Sequence, residues 1–411
     1  IQIGPDVTSV LLAGNEFVAG KQTIVNRAKP SVVQMSDAAF PLKVLPVYPD
    51  SSARVYGPDG DLLQVMLPVE RGNDARRIQA ALDELHLKGG GTLFLGPGDY
   101  RINGNLVVPT GVELRGIHDV PHHTGGGGSI LHIYPSNKRA SVIMQANSGL
   151  RGLSFNYPEQ NVEAVIAYPV LIQGQGEGVY IINVNGANPY KFLDLMSYQC
   201  DEHYVDYLSG APLKAGVMIG GGSINGIVRN VQFNPHYWTR APKKNPYFTN
   251  KTFGSIKIRG TGKILWEYQK TNLDALVVAD TQNQFLYQNF VFGSLYGIRF
   301  TVQNGKGPRD LISHGHGTDG AKVGVYFEHG EEQISMVNSE LVAMSSADKI
   351  GIKLGSDFNG KATFLNTILS KSGAASMYDF PALRFRSLCS NPQLYRNLPI
   401  IEAPILACTP A

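Results

Sequence analysis

The chain has 411 residues, of which 46 are Gly and 24 are Pro, while 43% are apolar and only 17% are charged. This composition excludes a helical bundle, which needs many Lys and Glu, and a disordered chain, which needs high charge and few aromatic residues. A net charge of +3, with no run of more than two basic residues, predicts no nucleic-acid partner. A large, turn-rich β core is therefore expected.

Targeting and redox signals are weak. No stretch of apolar residues is long enough to predict a membrane span, and the first residues lack the basic and apolar regions of a signal peptide. Because the chain does not begin with Met, we expect a processed or trimmed product. Three cysteines, Cys200, Cys389 and Cys408, are too few for a disulfide scaffold, and a Cys389–Cys408 bridge and buried thiols are both open.

The first elements in chain order are short apolar runs broken by Gly, Pro and Asp, which predict a small β-rich module over residues 1–68. The next segment, NDARRIQAALDELHLK, predicts a helix over 73–88 that Asn73 or Asp74 can cap. Apolar residues recur in it at a spacing of three and four: Ile78, Ala81, Leu82 and Leu85. A Gly-Gly-Gly stop at 89–91 leads into two strand-like segments, GTLFLGPGDYRI and LVVPTGVELRGI.

This order of helix, Gly-rich stop and strand pair resembles the start of the right-handed parallel β-helix proteins of the pectin-lyase-like superfamily. In that superfamily a short amphipathic helix covers the open end of the solenoid. The resemblance implies the same role here, because an open stack of strands exposes an apolar core and unpaired edges. It implies an all-β fold in which one parallel β-helix covers residues 69–400, followed by a C-terminal tail at 401–411.

Later segments repeat a pattern of strand, turn and second strand. One position of the repeat carries an asparagine in most copies: Asn183, Asn230, Asn289, Asn338, Asn366 and Asn397. Two weaker copies, SIKIRGTGKILWEY and IRFTVQNGKGPRDLISHGH, place Glu267 and His314 in this column. A stacked Asn tolerates a left-handed backbone at a sharp turn, and such an asparagine ladder recurs in the superfamily.

Two gaps interrupt the repeat. Asn183 and Asn230 are 47 residues apart, and Asn230 and Glu267 are 37 apart. They predict loop excursions at about 186–214 and 234–254, both rich in aromatic and polar residues. Loops on one side of a rigid scaffold often carry the binding and catalytic groups. The alternative is that these loops cover an edge or form an oligomer contact.

The outward face of the first strands is the predicted binding surface. It becomes basic in its second half, and Lys257, Arg299 and Tyr326 fall at outward positions. Side chains on it repeat about every 4.8 Å, roughly the repeat of an extended sugar chain, so a polysaccharide is the expected partner. Arg offers paired donors to carboxylate or sulfate groups. A solvated sheet face is the alternative interpretation.

Hydrolysis of a glycosidic bond needs two carboxylates beside that bond. Asp280 and Glu328 follow corresponding strands two repeats apart, about 9–10 Å along the axis, and are the first candidate pair. Asp319 and Asp274 are further candidates, and Glu267 is either a hydrogen-bonded structural group or an acid with a raised pKa. Each of these residues is alternatively a turn or surface carboxylate.

Histidines and loop aromatics complete the candidate set. Gly315-His316-Gly317 resembles the Gly-His-Gly of polygalacturonases, but their Asn-Thr-Asp and Asp-Asp motifs are absent here. His316 is thus a candidate for orienting a carboxylate or binding a sugar hydroxyl. In the loops, residues of sugar-binding type are Asp201, His203, His236, Trp238 and Arg240. No Cys-containing zinc spacing occurs, and the basic face disfavours calcium, so we expect no metal and no cofactor.

These observations predict a secreted or periplasmic glycoside hydrolase acting by carboxylate acid–base catalysis, with inversion favoured. A polysaccharide lyase with Lys257, His203 or Arg299 as its base is the first alternative. A trimeric tailspike or adhesin that binds glycans is the second, and it would make the protein a homo-oligomer.

Overall fold

The computed structural model describes residues 2–5, 10–13, 25–30, 33–36, 64–67, 73–117, 128–239, 258–330, 333–343, 350–356, 358, 360–365, 367–369 and 383–386. Several predicted features lie outside these residues: Arg240, Lys257, Asn366, Asn397, Cys389 and Cys408. Within the described part, no helix is long and apolar enough to cross a membrane.

Three helices occur among the described residues: α1 (Ala75–Leu87), α2 (His236–Thr239) and α3 (Ile258–Asn272). The strands in chain order are β1 (Gln2–Ile3), β2 (Val10–Ala13), β3 (Val25–Asn26), β4 (Val33–Ser36), β5 (Gln64–Leu67), β6 (Gly91–Leu95), β7 (Gly98–Asn103), β8 (Leu106–Val108), β9 (Val112–Arg115), β10 (Ser129–Tyr134), β11 (Val142–Gln145), β12 (Gly149–Asn156), β13 (Ile172–Gln175), β14 (Tyr180–Gly186), β15 (Lys191–Leu195), β16 (Tyr204–Gly210), β17 (Ala215–Ile219), β18 (Ser223–Ile224), β19 (Ile227–Arg229), β20 (Gln232–Phe233), β21 (Asp274–Val278), β22 (Thr281–Gln282), β23 (Phe285–Tyr287), β24 (Phe290–Phe292), β25 (Tyr296–Phe300), β26 (Leu311–His314), β27 (Gly317–Asp319), β28 (Val323–Phe327), β29 (Gln333–Val337), β30 (Glu340–Leu341), β31 (Ile350–Leu354), β32 (Lys361–Leu365), β33 (Ile368–Leu369) and β34 (Leu383–Arg386).

Two long sheets run along the molecule. The front sheet contains, in spatial order, β8, β11, β13, β15, β17, β21, β25, β28 and β31, and the back sheet holds nineteen of the other strands. Neighbouring front strands pair in parallel and in register, so that Leu276, Ile298, Val325 and Ile352 stack in the interior. Each turn of the chain adds one rung to both sheets. The predicted parallel β-helix is confirmed.

The back sheet bends at a column of left-handed residues. Asn183, Asn230 and Asn338 have φ angles of 52°, 54° and 52°, as the predicted ladder requires. In two other coils the column is displaced by one residue, because Gln288 and Gly315 take the left-handed turn. Their neighbours Asn289 and His314 therefore stand beside the column rather than in it.

Asn289 shows why an amide suits the interior at this bend. Its Nδ2 donates to the carbonyl oxygen of Val228 at 3.0 Å, and its Oδ1 accepts from the backbone N–H of Val231 at 3.0 Å. The bend turns these backbone groups away from the sheet, and one buried side chain satisfies both of them.

The predicted excursion at 186–214 is wrong. Residues 191–195 form β15 in the front sheet and residues 204–210 form β16 in the back sheet, so this segment is one more complete coil. Its bend residue is Tyr207, with a φ angle of 59°. Because no Asn marks the bend, this coil was not recognised as a copy of the sequence repeat.

The second interruption is longer than predicted and is partly helical. After β20 the chain forms α2, and α3 then leads directly into β21. The segment SIKIRGTGKILWEY therefore contributes to a helix and not to a coil. Glu267 consequently lies on α3 and was wrongly placed in the asparagine column.

The predicted N-terminal helix is present as α1. Asn73 Oδ1 accepts from the first helical N–H, that of Ala75, at 3.1 Å, and Asp74 Oδ2 accepts from the N–H of Arg101 at 2.8 Å. Ile78 and Leu82 on α1 are buried in the same apolar core as the strands. Whether α1 closes the end of the solenoid stays a prediction.

Strand pairing moves the start of the solenoid. β5 (Gln64–Leu67) pairs in parallel with β6, so the back sheet begins inside the range assigned to the N-terminal module. Earlier strands form two short parallel pairs, β1 with β3 and β2 with β4. A separate module before residue 64 remains a prediction.

Candidate functional site

The outward surface of the front sheet carries a cluster centred on Arg299, which we call the Arg299 cluster. It consists of Asp274 at the start of β21, Tyr296 and Arg299 on β25, Thr301 just after β25, Tyr326 on β28, Glu328 just after β28, and Lys353 on β31. Strand register brings these coils together, since Arg299 pairs with Tyr326 and Tyr326 with Lys353.

One guanidinium joins two carboxylates in this cluster. Nε and Nη2 of Arg299 donate to Oε2 of Glu328 at 2.9 and 2.6 Å, and Nη1 donates to Oδ2 of Asp274 at 3.1 Å. Because the planar guanidinium presents these donors on opposite sides, the two carboxylate oxygens lie roughly 6–7 Å apart. This separation overlaps the lower end of the range found for the carboxyl pairs of inverting glycosidases, and the guanidinium occupies the space directly between the two oxygens.

The two carboxyl groups have pKa values shifted in opposite directions. Burial raises the pKa of Asp274 and outweighs the lowering effect of Arg299. Burial also acts to raise the pKa of Glu328, but hydrogen bonds from Thr301 and Arg299, together with the charges of Arg299 and Lys353, bring the net pKa below its ordinary value. Thr301 Oγ1 donates to Glu328 Oε2 at 2.6 Å. Opposed shifts in neighbouring carboxyls are the pattern of an acid and base pair.

Aromatic and basic side chains flank the pair. The rings of Tyr296 and Tyr326 stack with centroids 5.0 Å apart, and Nζ of Lys353 lies 4.4 Å from the centroid of the Tyr326 ring. Both tyrosines and Lys353 are partly exposed. This side of the cluster therefore offers aromatic and cationic groups to a ligand lying on the sheet.

Asp280, the predicted partner of Glu328, has a different partner. Its Oδ1 accepts from Nη1 of Arg309 at 3.1 Å, at the corner where the front strand ends. Arg309 also donates to the carbonyl oxygen of Gly307 at 3.2 Å. The structure thus joins Glu328 to Asp274 through an arginine and ties Asp280 to the turn.

Asp319 lies on the back sheet, beside Phe292 of the preceding coil. Burial raises the pKa of its carboxyl, and its Oδ1 atom is buried without a hydrogen-bond partner. Trp266 of α3 stacks on Phe292 with centroids 5.8 Å apart. Asp319 is therefore a residue of the surface beneath α3 and is separate from the Arg299 cluster.

Three predicted sugar-binding residues are buried. Trp238 packs with Tyr237 and Leu265 in an apolar cluster between the helices and the solenoid. His203 is fully enclosed, with Nδ1 2.7 Å from the carbonyl oxygen of Cys200, and burial lowers its pKa to about 4. His316 points into the interior, where burial lowers its pKa to about 3. The enclosed rings present no surface to a polysaccharide, so their burial does not support direct sugar binding, and the role of His316 in orienting a carboxylate stays a prediction.

The other predicted residues have local partners. Glu267 is exposed on α3 and pairs with Lys270 at 2.9 Å. Asp201 accepts from the side chain of Gln199 and from the N–H of Ile224, both at 2.9 Å, as a turn residue does. The ring of His236 stacks 6.1 Å from that of Phe292.

Sequence alternation did not assign Tyr296 to the site. Tyr296 and Arg299 are three residues apart, so strict alternation places them on opposite faces. The structure has two successive inward residues between them, Gly297 and Ile298, and Tyr296 and Arg299 therefore both face outward. The contacts of Thr301 and Lys353 with the site follow only from the register of neighbouring strands.

Within the described residues, no three His, Cys, Asp or Glu side chains are arranged to hold a metal ion.

No family model matches the sequence. No curated protein matches it either. Solved structures with a similar fold include the A-module of mannuronan C-5 epimerase AlgE6 from Azotobacter vinelandii, with 14% identity, 77% of this chain and 86% of that chain covered, and a TM-score of 0.42. PfbA, a surface adhesin of Streptococcus pneumoniae, is 13% identical over 79% of this chain and 83% of that chain, with a TM-score of 0.47. An endo-xylogalacturonan hydrolase from Aspergillus tubingensis is 11% identical over 79% and 88%, with a TM-score of 0.49. At this level the similarity concerns the β-helix architecture alone.

Proposed function

We propose that this protein is a glycoside hydrolase that cleaves a polysaccharide or oligosaccharide on the outward face of the front sheet. The observation that carries the proposal is the pair of carboxyl groups held by Arg299, with opposed pKa shifts and a separation of roughly 6–7 Å. In this pair we assign the acid role to Asp274, whose pKa is raised, and the base role to Glu328, whose pKa is lowered.

The chemistry follows from these two roles. Asp274 donates a proton to the glycosidic oxygen as the bond to the leaving sugar breaks. Glu328 takes a proton from a water molecule that attacks the anomeric carbon from the opposite face, which inverts the configuration. Arg299 holds both groups in place, and Tyr296, Tyr326 and Lys353 bind the sugar units beside the bond.

The test is a screen of neutral and acidic polysaccharides with the wild-type chain and with Asp274→Asn and Glu328→Gln. Each variant removes one proton-transfer group and should reduce the hydrolysis rate by a factor of about 10²–10⁴. Product masses should correspond to the addition of one water molecule per cleaved bond.

Asp280→Asn is the matched control, because Asp280 follows the same front strand, β21, but pairs with Arg309 instead. It should retain most of the activity. If Asp280→Asn were inactive while Asp274→Asn hydrolysed normally, the pair first predicted from the sequence would replace the one proposed here. Full activity in both Asp274→Asn and Glu328→Gln would refute the mechanism.

A lyase is the weaker proposal, because two of its predicted bases are unsuited. Burial acts to lower the pKa of Arg299, but Glu328 and Asp274 outweigh that effect and the net pKa is raised. A guanidinium with a raised pKa does not take up a proton from a substrate. His203 is fully buried. An unsaturated uronate among the products would nevertheless favour a lyase over a hydrolase.

A glycan-binding tailspike or adhesin remains the proposal from a different class, and it predicts a stable trimer that binds glycans without cleaving them. Sedimentation analysis together with the polysaccharide screen separates these proposals. We also propose a secreted or periplasmic location, where polysaccharides are encountered.

A further inference from the structure

Lys214 lies where three elements meet beside Asp274. It precedes β17, whose first residue, Ala215, pairs with Asp274 in the front sheet. The backbone N–H of Asp274 donates to the carbonyl oxygen of Lys214 at 3.0 Å. The ammonium group of Lys214 donates to the carbonyl oxygen of Asn272, the last residue of α3, at 3.3 Å. Lys214 therefore connects the end of α3 to the strand that begins with Asp274.

The carboxyl of Asp274 has one oxygen engaged and one without a partner. Oδ2 accepts from Arg299, whereas Oδ1 is buried and has no hydrogen-bond partner. An ionised carboxylate with a buried, unpartnered oxygen is costly unless a donor or a cation is near. The charge of the Lys214 ammonium acts on Asp274 to favour its ionised form, and the other hydrogens of the ammonium are not used by Asn272.

Four groups act electrostatically on Asp274 or respond to its charge. Arg299 on β25 and Lys214 favour the ionised form of Asp274, and Glu328 after β28 disfavours it. The phenol of Tyr296 responds to the charge of Asp274 in turn. Burial raises the pKa of Asp274 overall, with Arg299 and then Lys214 opposing it.

We propose that Lys214 is a positioning residue for Asp274: it fixes the start of β21 against the end of α3, and its ammonium group forms an ion pair with the carboxylate once Asp274 has given up its proton. The inference rests on the proposed hydrolase function. In the resting protein the ammonium is bound to Asn272. After proton donation it moves to the free Oδ1. Glu328 then releases to the solvent the proton it took from the attacking water, and Asp274 takes one proton from the solvent before the next cycle.

The test compares Lys214→Gln and Lys214→Arg with the wild-type enzyme, on the polysaccharide that the wild type degrades fastest in the screen. Lys214→Gln keeps a donor for the Asn272 carbonyl but removes the charge. Loss of a nearby cation raises the pKa of Asp274, so the alkaline limb of the kcat/KM profile should move to higher pH. Lys214→Arg should restore the wild-type limb, which a purely structural role would not predict.

Lys353→Met is the matched control, because Lys353 acts on the other carboxyl. Its charge lowers the pKa of Glu328. Removing it should move the acidic limb to higher pH and leave the alkaline limb unchanged. The two lysines should therefore displace opposite limbs of one profile.

The inference is overturned if the alkaline limb of Lys214→Gln coincides with that of the wild type, or if Lys214→Arg displaces it equally. A readout without activity separates this result from failure of the proposed function. In protein labelled with 13C at Asp carboxyls, the resonance missing from Asp274→Asn identifies Asp274. Its titration midpoint should rise in Lys214→Gln, and an unchanged midpoint refutes the inference whether or not the protein hydrolyses glycans.

Discussion

Replacing Arg299 by Met is the strongest test of the Arg299 cluster, because it leaves two carboxylates without their shared partner. The bond to the buried Asp274 joins charged groups and contributes about 2 kcal/mol, and the two bonds to the more exposed Glu328 contribute about 1 kcal/mol. We therefore expect Arg299→Met to lower the free energy of unfolding by about 3 kcal/mol near neutral pH. With an unfolding entropy of roughly 2.1 cal/mol/K per residue, a chain of 411 residues should lose about 3–4 °C in Tm.

The loss should depend on pH, with a sign that follows from the two pKa shifts. Glu328 has a lowered pKa in the folded state, so its contribution is present above its ordinary pKa and disappears as the pH falls. Asp274 has a raised pKa, so its burial is tolerated at low pH and becomes costly as the pH rises through the folded value. Without Arg299 that cost increases. The difference between variant and wild type should thus be large at neutral pH and small below about pH 4.

Calorimetry at neutral and acidic pH measures this difference. Lys353→Met is the control: Lys353 lies over Tyr326, and among the described residues no carboxylate is within ion-pair distance of it, so we expect a loss below about 1 kcal/mol. A Tm of Arg299→Met within 1 °C of the wild type, or an equal loss at both pH values, would show that the cluster is a solvated surface arrangement.

Three further predictions concern the scaffold. Gly293 and Gly305 both have a φ angle of 77°, but a Cβ on Gly293 would lie 2.4 Å from Cδ1 of Trp266, whereas Gly305 has open space around it. Gly293→Ala should therefore lower Tm more than Gly305→Ala does, and it should change the fluorescence of Trp266. Equal Tm values for the two variants would contradict this packing. Asn289→Ala removes the side chain that satisfies Val228 and Val231, so we expect a loss of about 2–3 kcal/mol in chemical denaturation, and a loss below about 1 kcal/mol would show that water replaces the amide. Burial lowers the pKa of His203 to about 4 and that of His316 to about 3, so the unfolded chain binds protons that the folded chain does not, and the wild type should lose stability as the pH falls from about 6.5. His203→Gln should weaken this dependence between pH 6.5 and 4, and a Tm profile parallel to that of the wild type would argue against an enclosed histidine.

Most of the architecture was accessible from local sequence patterns, because a solenoid repeats the same short-range geometry. Asn183, Asn230 and Asn338 mark the bend because asparagine tolerates a left-handed backbone, and each was found from its spacing. Where another residue type takes the bend, as at Tyr207, the marker is lost, and a complete coil was interpreted as a loop. Helix α3 was missed for the opposite reason, since its apolar residues were fitted to the strand repeat.

The chemistry of the face could be predicted only in part. The sequence determined that the molecule is a stack of short strands, that Arg299 and Tyr326 face outward on them and that Glu328 follows one of them, because alternation and repeat length are local properties. Only the tertiary structure decided that Arg299 bonds to Asp274 as well as to Glu328, that Asp280 is tied to Arg309, and that Trp238, His203 and His316 are enclosed. These outcomes depend on lateral register, on two successive inward residues in β25 and on how the inserted helices pack. Such contacts join residues far apart in the chain, and no local pattern specifies them.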